Sequence, residues 1–537
     1  LGIKEKADSL VVTWISGKMQ TIEQVKADQS LTLFEKDAKL RAVPVKPNKS
    51  WFTEVHAGID YKDPPSDIND FNRQPLLISE FSYSGPCMAK YDFNKDGLED
   101  LIIGGTPGHA ATLFIQQKSG LFSTKKIPAF EKDSSYVDAA IAVFDANGDG
   151  YADIYVASGG YHHFSPNDSL LNDRLYINDG KNNFHRSNDL PAINGSKSCV
   201  KVQDINGDGF PDIFVGCRVV PGRYPEIPGS YILINDGKGK FTDKTVSVCP
   251  DLSRCGMITD AVWADLDGDK KNELLVVGEW MPVTVFRNEN GKLVNRTDRF
   301  FDRRYTGWWN KIATGDFNGD GKPDIVIGNM GLNTQFKASE KEPLELYYKD
   351  FDNNGSIDPM FSFYIQHQRY PYITRDELVT QLPFMRKRFS NFKSYADITM
   401  DDLFQNNELN GAGHLSAERM NTTCFLSTST GRFTIAELPV EVQYSPVYTI
   451  DTLDFNDDGK TDLLLCGNNS HTKIRLGKFD ANYGVLIAGD GKGNFKYIPQ
   501  TESGFNIRGD ARSSVRVGNK IFFGINSNRL SAYILSP

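Results

Sequence analysis

The chain has 537 residues but only 7 cysteines, 8 histidines and 6 tryptophans. No CxxC pair occurs, which argues against thiol-redox chemistry and a thiolate zinc centre. Cys249 and Cys255 bracket a loop short enough to be bridged. Cys199 and Cys217 flank one predicted hairpin turn, and Cys87, Cys424 and Cys466 read as buried single thiols. No apolar run approaches the roughly 18 residues of a membrane-spanning helix. Positive charge is not in excess, and a formal net charge of -9 argues against nucleic-acid binding. The GxSxG, HExxH and P-loop signatures are missing. His162 and His163 are adjacent, so in a strand they face opposite sides and do not share a metal.

What the chain has instead is a repeated acidic loop. The pattern D-x-[DN]-x-[DN]-G-x-x-[DE] recurs seven times, starting at Asp92, Asp145, Asp204, Asp265, Asp316, Asp350 and Asp454. Six copies fit fully; the Asp265 copy has Lys270 in place of the glycine and Glu273 in place of the last aspartate. Positions 1, 3 and 5 supply side-chain oxygens, position 7 a backbone carbonyl and position 9 a carboxylate. The expected ligands are therefore Asp92, Asn94, Asp96, Leu98 and Asp100; Asp145, Asn147, Asp149, Tyr151 and Asp153; Asp204, Asn206, Asp208, Phe210 and Asp212; and Asp265, Asp267, Asp269, Lys271 and Glu273. The remaining three loops add Asp316, Asn318, Asp320, Lys322 and Asp324; Asp350, Asp352, Asn354, Ser356 and Asp358; and Asp454, Asn456, Asp458, Lys460 and Asp462. An all-oxygen donor set points to a hard cation, Ca²⁺ before Mg²⁺, with about seven sites. These are not EF-hands, because position 12 is apolar in every copy, from Ile103 to Leu465. Most loops run into buried-strand signatures ending at glycine, such as LIIGG and IYVASGG.

Loop starts lie 34 to 104 residues apart, and most spacings suit a four-stranded propeller blade. Second halves such as RLYINDGKNNF and SYILINDGKGKF read as an outer hairpin around an Asx-Gly turn. The fold expected is all-β: a calcium-binding β-propeller, eight blades favoured and seven the alternative, with a small N-terminal β module and a helical insertion. The modules are placed at 1–45, a connecting segment at 46–85 and the propeller at 86–537, with the insertion at about 374–420. Thr374 and Glu377 form a capping box ahead of RDELVTQL within it. The interval from Asp316 to Asp454 is expected to hold two blades plus this insertion, and the C-terminal tail a last blade without an acidic loop.

The acidic loops, each followed by an apolar strand and glycine, resemble the FG-GAP or VCBS repeats of integrin-α-like propellers. The opening ADSLVVTWISGKMQTIEQVKADQSLTLFEKDA is similar to the end of an ASPIC/UnbV domain. With DRLYINDG, CRVVPGRYP, GEWMPV, GWWN, GNMGLN and SPVYTID, nearly the whole chain resembles a VCBS-repeat protein of the Bacteroidetes type. That resemblance implies an exported protein, at the cell surface or outer membrane as a lipoprotein or secreted, beside a nutrient-uptake transporter. It also implies a region upstream of Leu1, since the chain opens inside the ASPIC/UnbV-like module.

Loops leaving the apolar strands emerge opposite the acidic loops, and there a ligand face is expected. Its candidates are His162, Arg223, Tyr224, Glu279, Trp280, Asn329, Asn333, Asn468 and Arg475. Aromatic rings with amides and charges suit a glycan or a peptide, although Trp280, Trp308 and Trp309 also suit packing between blades. No catalytic residue is assigned. The leading reading is a non-catalytic surface binding protein accessory to nutrient uptake. A calcium-dependent polysaccharide lyase or hydrolase and an adhesive scaffold are the alternatives. Arg508-Gly509-Asp510 spells an integrin-binding tripeptide but enters a strand-like run, which favours a structural role.

Overall fold

The computed structural model describes residues 5–40, 50–405 and 407–536. The chain forms two compact units, Leu1–Lys49 and Ser50–Pro537. The expected boundary between residues 45 and 46 lies outside the described residues. The first unit is a three-stranded antiparallel sheet in which Lys18–Lys26 is central, between Lys6–Thr13 and Lys39–Leu40. Ala38 is its one buried apolar side chain among the described residues.

The second unit is built from four-stranded antiparallel sheets, one of which gains a fifth strand, Thr306–Trp308. In one of them, Asp138–Phe144, Asp153–Ser158, Arg174–Asn178 and Phe184–Arg186 follow one another outward, and the Asp145 loop joins the first two. The second strand of such a sheet is buried on both faces between its neighbours. Ile154, Tyr155, Leu101, Ile102, Ile213 and Leu464 are all fully buried. This explains the continuous apolar runs, each such side chain contributing roughly 1.5–3 kcal/mol. Glycine ends several of these strands because the inner strand presses close. A Cβ on Gly278 would lie 1.9 Å from the Met257 carbonyl oxygen, and one on Gly467 1.8 Å from that of Pro446.

Seven inner strands form the ring: Met88–Tyr91, Asp138–Phe144, Ser196–Gln203, Met257–Ala264, Lys311–Gly315, Val447–Leu453 and Ala511–Val517. Each touches the next, and the last touches the first. The favoured count of eight blades is therefore corrected to seven. An eighth four-stranded sheet exists, but it is inserted within the fifth blade, between Asp324–Gly328 and Thr423–Ser427. It is made of Leu344–Lys349, Asp358–Ile365, Gln368–Pro371 and Gly413–Ala417, and Gly413–Ala417 packs on the preceding blade rather than joining the ring. The Asp350 loop belongs to this inserted sheet, so counting acidic loops is not counting blades. Within the expected insertion lie helices Arg375–Gln381, Met385–Arg388 and Met400–Leu403, together with the strand Gly413–Ala417. Thr374 and Glu377 close the capping box, and Leu378, Met385, Met400 and Leu403 form the apolar floor of the helices.

The last blade has no acidic loop; a tight turn at Gly518 joins its first two strands. Its outermost strand comes from the other end of the unit: Phe52–Glu54 pairs with Ser531–Leu535. The stretch 46–85 is thus more than a connector, because it supplies the strand that locks the ring. Phe52 is 3% exposed and stacks on Phe505 at 4.5 Å. Phe52→Ala is expected to lower the unfolding free energy by about 3–5 kcal/mol, measured as an earlier urea midpoint.

Candidate metal loops and a capped central channel

The acidic side chains build their own loops. In the Asp145 copy, Asp145 accepts from the backbone N–H groups of Gly148, Asp149 and Gly150, and Asp149 accepts from that of Tyr151. The ninth residue, Asp153, accepts from Ala146 N at 2.9 Å and from Asn178 N, in the third strand of the blade, at 2.8 Å. The same double anchor holds Asp100, Asp212, Asp324 and Asp462. Each loop therefore hangs from a carboxylate at the base of its blade. Gly150 at φ +83° shows why position 6 is glycine.

The electrostatics are unfavourable without a cation. Burial pushes the carboxyl groups of Asp100, Asp153 and Asp358 up to about 6, and neighbouring aspartates add to the effect. At the Asp350 loop, Asp350, Asp352 and Asp358 each place a carboxylate oxygen within 4.8 Å of the others. In the other six loops the one ion pair to a ligand-position carboxylate among the described residues is Lys460 with Asp458, at 3.6 Å, while Lys95 and Arg223 reach loop carbonyls, 2.7 Å from Gly150 and 3.3 Å from Gly355. An oxygen-only donor set with so little neutralising charge fits a hard divalent cation. The Asp265 loop brings carboxylate oxygens of Asp265, Asp267 and Asp269 equally close, within 4.8 Å, but differs in its basic partners. Arg287 and Arg299 enter it, at 2.5 Å from Asp269 and 2.7 Å from Asp267 respectively. Lys270 adopts φ +67° where the six other copies have glycine, a conformation costing about 1–2 kcal/mol.

On the opposite face, the expected ligand residues are mostly covered. The segment 63–86 runs across the exit loops. Arg73 donates to the carbonyls of Tyr161, His162 and Pro221, and Gln74 donates to that of Tyr224. Phe81 packs against Tyr161 and Tyr224, both at 5.0 Å. Asp70, fully buried, accepts from Phe81 N, Ser82 N and the Ser82 hydroxyl at 2.7–2.8 Å.

Under this segment Tyr224 and Trp280 are 5% and 4% exposed, and the Trp280 indole donates to the Tyr224 hydroxyl at 2.7 Å. Glu279 pairs with Arg218, and His162 Nδ1 lies 3.2 Å from Asp70. Asn329 donates to the Arg419 carbonyl, and Asn468 donates to those of Asn482 and Gly509. Arg223 is half-buried against Glu226. Asn333 and Arg475 are exposed. Arg475 sits 4.0 Å over the Tyr372 ring and pairs with Glu377. Trp309 is fully buried and Trp308 9% exposed. Asp510 of the Arg-Gly-Asp tripeptide is 3% exposed and accepts from Ser470. All seven cysteines are free thiols, including Cys249 and Cys255.

Two concave sites were not visible in the sequence. The first is the channel on the propeller axis, a cavity of about 320 Å³ lined by all seven inner strands together with Phe81 and Tyr83 of the covering segment. Asp260 lies in it, 3.1 Å from both Lys201 and Lys311. Burial pushes its carboxyl up, but the two lysines outweigh that and hold it at about 2. Burial pushes Asp451, on another blade, up to about 6. The second is an open groove of about 860 Å³ on the insertion, where Phe363, Tyr370 and Tyr372 meet Gln335, Gln366, Gln368 and Arg475. Arg475 alone of these was singled out from the sequence. The others come from strands and loops whose nearness depends on the insertion folding back.

An FG-GAP-like repeat family matches residues 92–156 and 265–327, and the ASPIC and UnbV family matches residues 1–40. Among solved structures, a lectin of Agrocybe aegerita that recognises non-reducing terminal N-acetylglucosamine is 15% identical, with 76% of this chain and 79% of that chain covered and a TM-score of 0.38. The biofilm matrix protein Bap1 of V. cholerae is 12% identical, covering 86% and 89%, with a TM-score of 0.35. BBS1N, in complex with ARL6DN, is 11% identical, covering 91% and 98%, with a TM-score of 0.40.

The covering segment depends on Asp70. Asp70→Ala strands buried donors at a cost of about 1–3 kcal/mol each. Amide exchange in residues 63–86 is expected to accelerate while the inner strands keep their protection.

Proposed function

We propose that this FG-GAP-repeat propeller with an ASPIC/UnbV segment is a non-catalytic, calcium-stabilised binding protein. It is exported to the cell surface, where it presents a glycan-binding groove and serves as an accessory to an outer-membrane nutrient transporter. The observation that carries the binding reading is the insertion groove, set against the coverage of the exit-loop face. Tyr370 makes no aromatic pair among the described residues, unlike its neighbours Phe363 and Tyr372, and Gln366 and Gln368 stand exposed beside it. Gln366 and His367 both take positive φ, +49° and +67°. This two-residue turn without glycine holds the amide at the rim against a local strain of about 1–3 kcal/mol per residue. Of the charged groups lining the groove, Arg475 is already paired with Glu377, leaving Asp397. A ring face, amide hydrogen-bonding groups and little net charge suit a neutral sugar, which stacks its C–H face and hydrogen-bonds its hydroxyls.

The calcium reading is supported by the oxygen-only loops, six of which have one basic partner between them at a ligand-position carboxylate among the described residues. Each site filled at a hundred times its Kd would add about 2.7 kcal/mol to stability. Excess EDTA is therefore expected to lower the melting temperature substantially, and readdition of Ca²⁺ to restore it; an unchanged melting curve sinks this part of the proposal. For the groove, a glycan array followed by calorimetry on the best hit tests binding. Tyr370→Ala is expected to weaken affinity at least tenfold with the melting temperature unchanged. Equal binding by the variant would move the ligand elsewhere. Co-purification from the native envelope in Ca²⁺ tests the transporter link.

A further inference from the structure

The Asp265 loop breaks the pattern of the other six in a specific way. The residue facing the ninth position from the third strand of the blade is apolar in the five sister blades with acidic loops. Continuing the observed registers places Ile115 beside Asp100, Ile177 beside Asp153, Ile234 beside Asp212, Leu426 beside Asp324 and Ala488 beside Asp462. In the Asp265 blade that position is Arg287, opposite Glu273. Its guanidinium lies 2.5 Å from Asp269, 3.4 Å from Asp267 and 3.7 Å from Glu273. It thus reaches the carboxylates of positions 3, 5 and 9 together. Arg299, from the short helix after the outer hairpin, adds a second guanidinium 2.7 Å from Asp267.

Three further departures accompany the arginines. The ninth residue is the longer Glu273, whose Oε1 lacks the backbone partner that secures its counterparts in the five sister blades. The loop carries four ligand-position carboxylates where each other copy has three. Lys270 and Lys271 follow one another at the turn. A divalent ion placed among these carboxylates would meet two guanidinium charges at contact range. The donor set fits a hard cation in composition but not with these arginines in place.

We infer that the Asp265 loop is a metal-independent copy in which Arg287 and Arg299 do the electrostatic work that a bound cation does in the sister loops. Arginine suits this role because its planar fork can bridge several carboxylates and stays charged at any relevant pH. One blade of the ring then keeps its shape when calcium is withdrawn. The inference rests on the proposed calcium loading of the other loops.

The test is a direct count of bound Ca²⁺ by equilibrium dialysis of the full chain. Asp265→Asn with Asp269→Asn is expected to leave the count unchanged, whereas Asp204→Asn with Asp208→Asn lowers it by one. A loss of one ion from the first pair overturns the inference. No loss from the second pair strikes the calcium reading itself, and the contrast between the loops falls with it. Arg287→Ile with Arg299→Gln provides the reverse experiment, in which the count rises by one. An unchanged count in that variant, folded by circular dichroism, overturns the assignment of the arginines as what keeps the metal out.

Discussion

The structure depends on burying one apolar strand per blade on both of its faces. A strand such as Asp153–Ser158 or Asp462–Gly467, buried along its whole length, cannot end at a sheet surface. It needs a neighbouring blade on each side, and that demand is met everywhere only when the blades close into a ring. Closure sets the crowding at the axis, where Ala139, Ala140, Ser198 and Ser513 line the channel. It also sets the need for glycine where inner strands press on Gly278 and Gly467. The three-residue strand Phe52–Glu54 completes the last blade, so the ring is sealed by pairing residues at opposite ends of the propeller unit.

Charge is handled by two devices on one scaffold. The acidic loops concentrate carboxylates at the mouth of the inner turn, where a buried ninth residue fastens the loop to its blade. In six copies no arginine pairs with those carboxylates among the described residues. The seventh carries its own guanidinium groups, at the expense of a strained Lys270. Arg287, where the sister blades have an aliphatic residue, sits in the third strand, outside the loop motif, and brings a guanidinium to the motif's carboxylates. On the axis, Lys201, Asp260 and Lys311 come from three blades, with both lysines 3.1 Å from the one carboxylate, so a triad of net positive charge forms in the channel wall.

The covering segment redirects where binding can occur. Exit loops rich in aromatics and amides read as a ligand face, yet Tyr224 meets Phe81, Trp280 donates to Tyr224, and Asn329 and Asn468 satisfy backbone groups. These side chains hold protein against protein. The groove on the insertion gathers the exposed amides of Gln366 and Gln368 beside Tyr370, a half-buried ring without an aromatic partner among the described residues. An elaboration of one blade thereby offers a surface that the regular ring does not.

The acidic loops, the buried second strands and the capping box at Thr374 were legible in the sequence because each is local: the residues that define them lie within about ten positions, and their spacing maps directly onto hydrogen-bonded geometry. The loopless last blade was legible too, from its strand-turn-strand pattern. The blade count was not, because the Asp350 loop has the same local signature whether its sheet stands in the ring or packs outside it. The closing strand at Phe52, the seat of the covering segment and the reach of Arg287 were equally hidden. Each depends on which residues come together across blades or across strands, and only burial of the whole ring decides that.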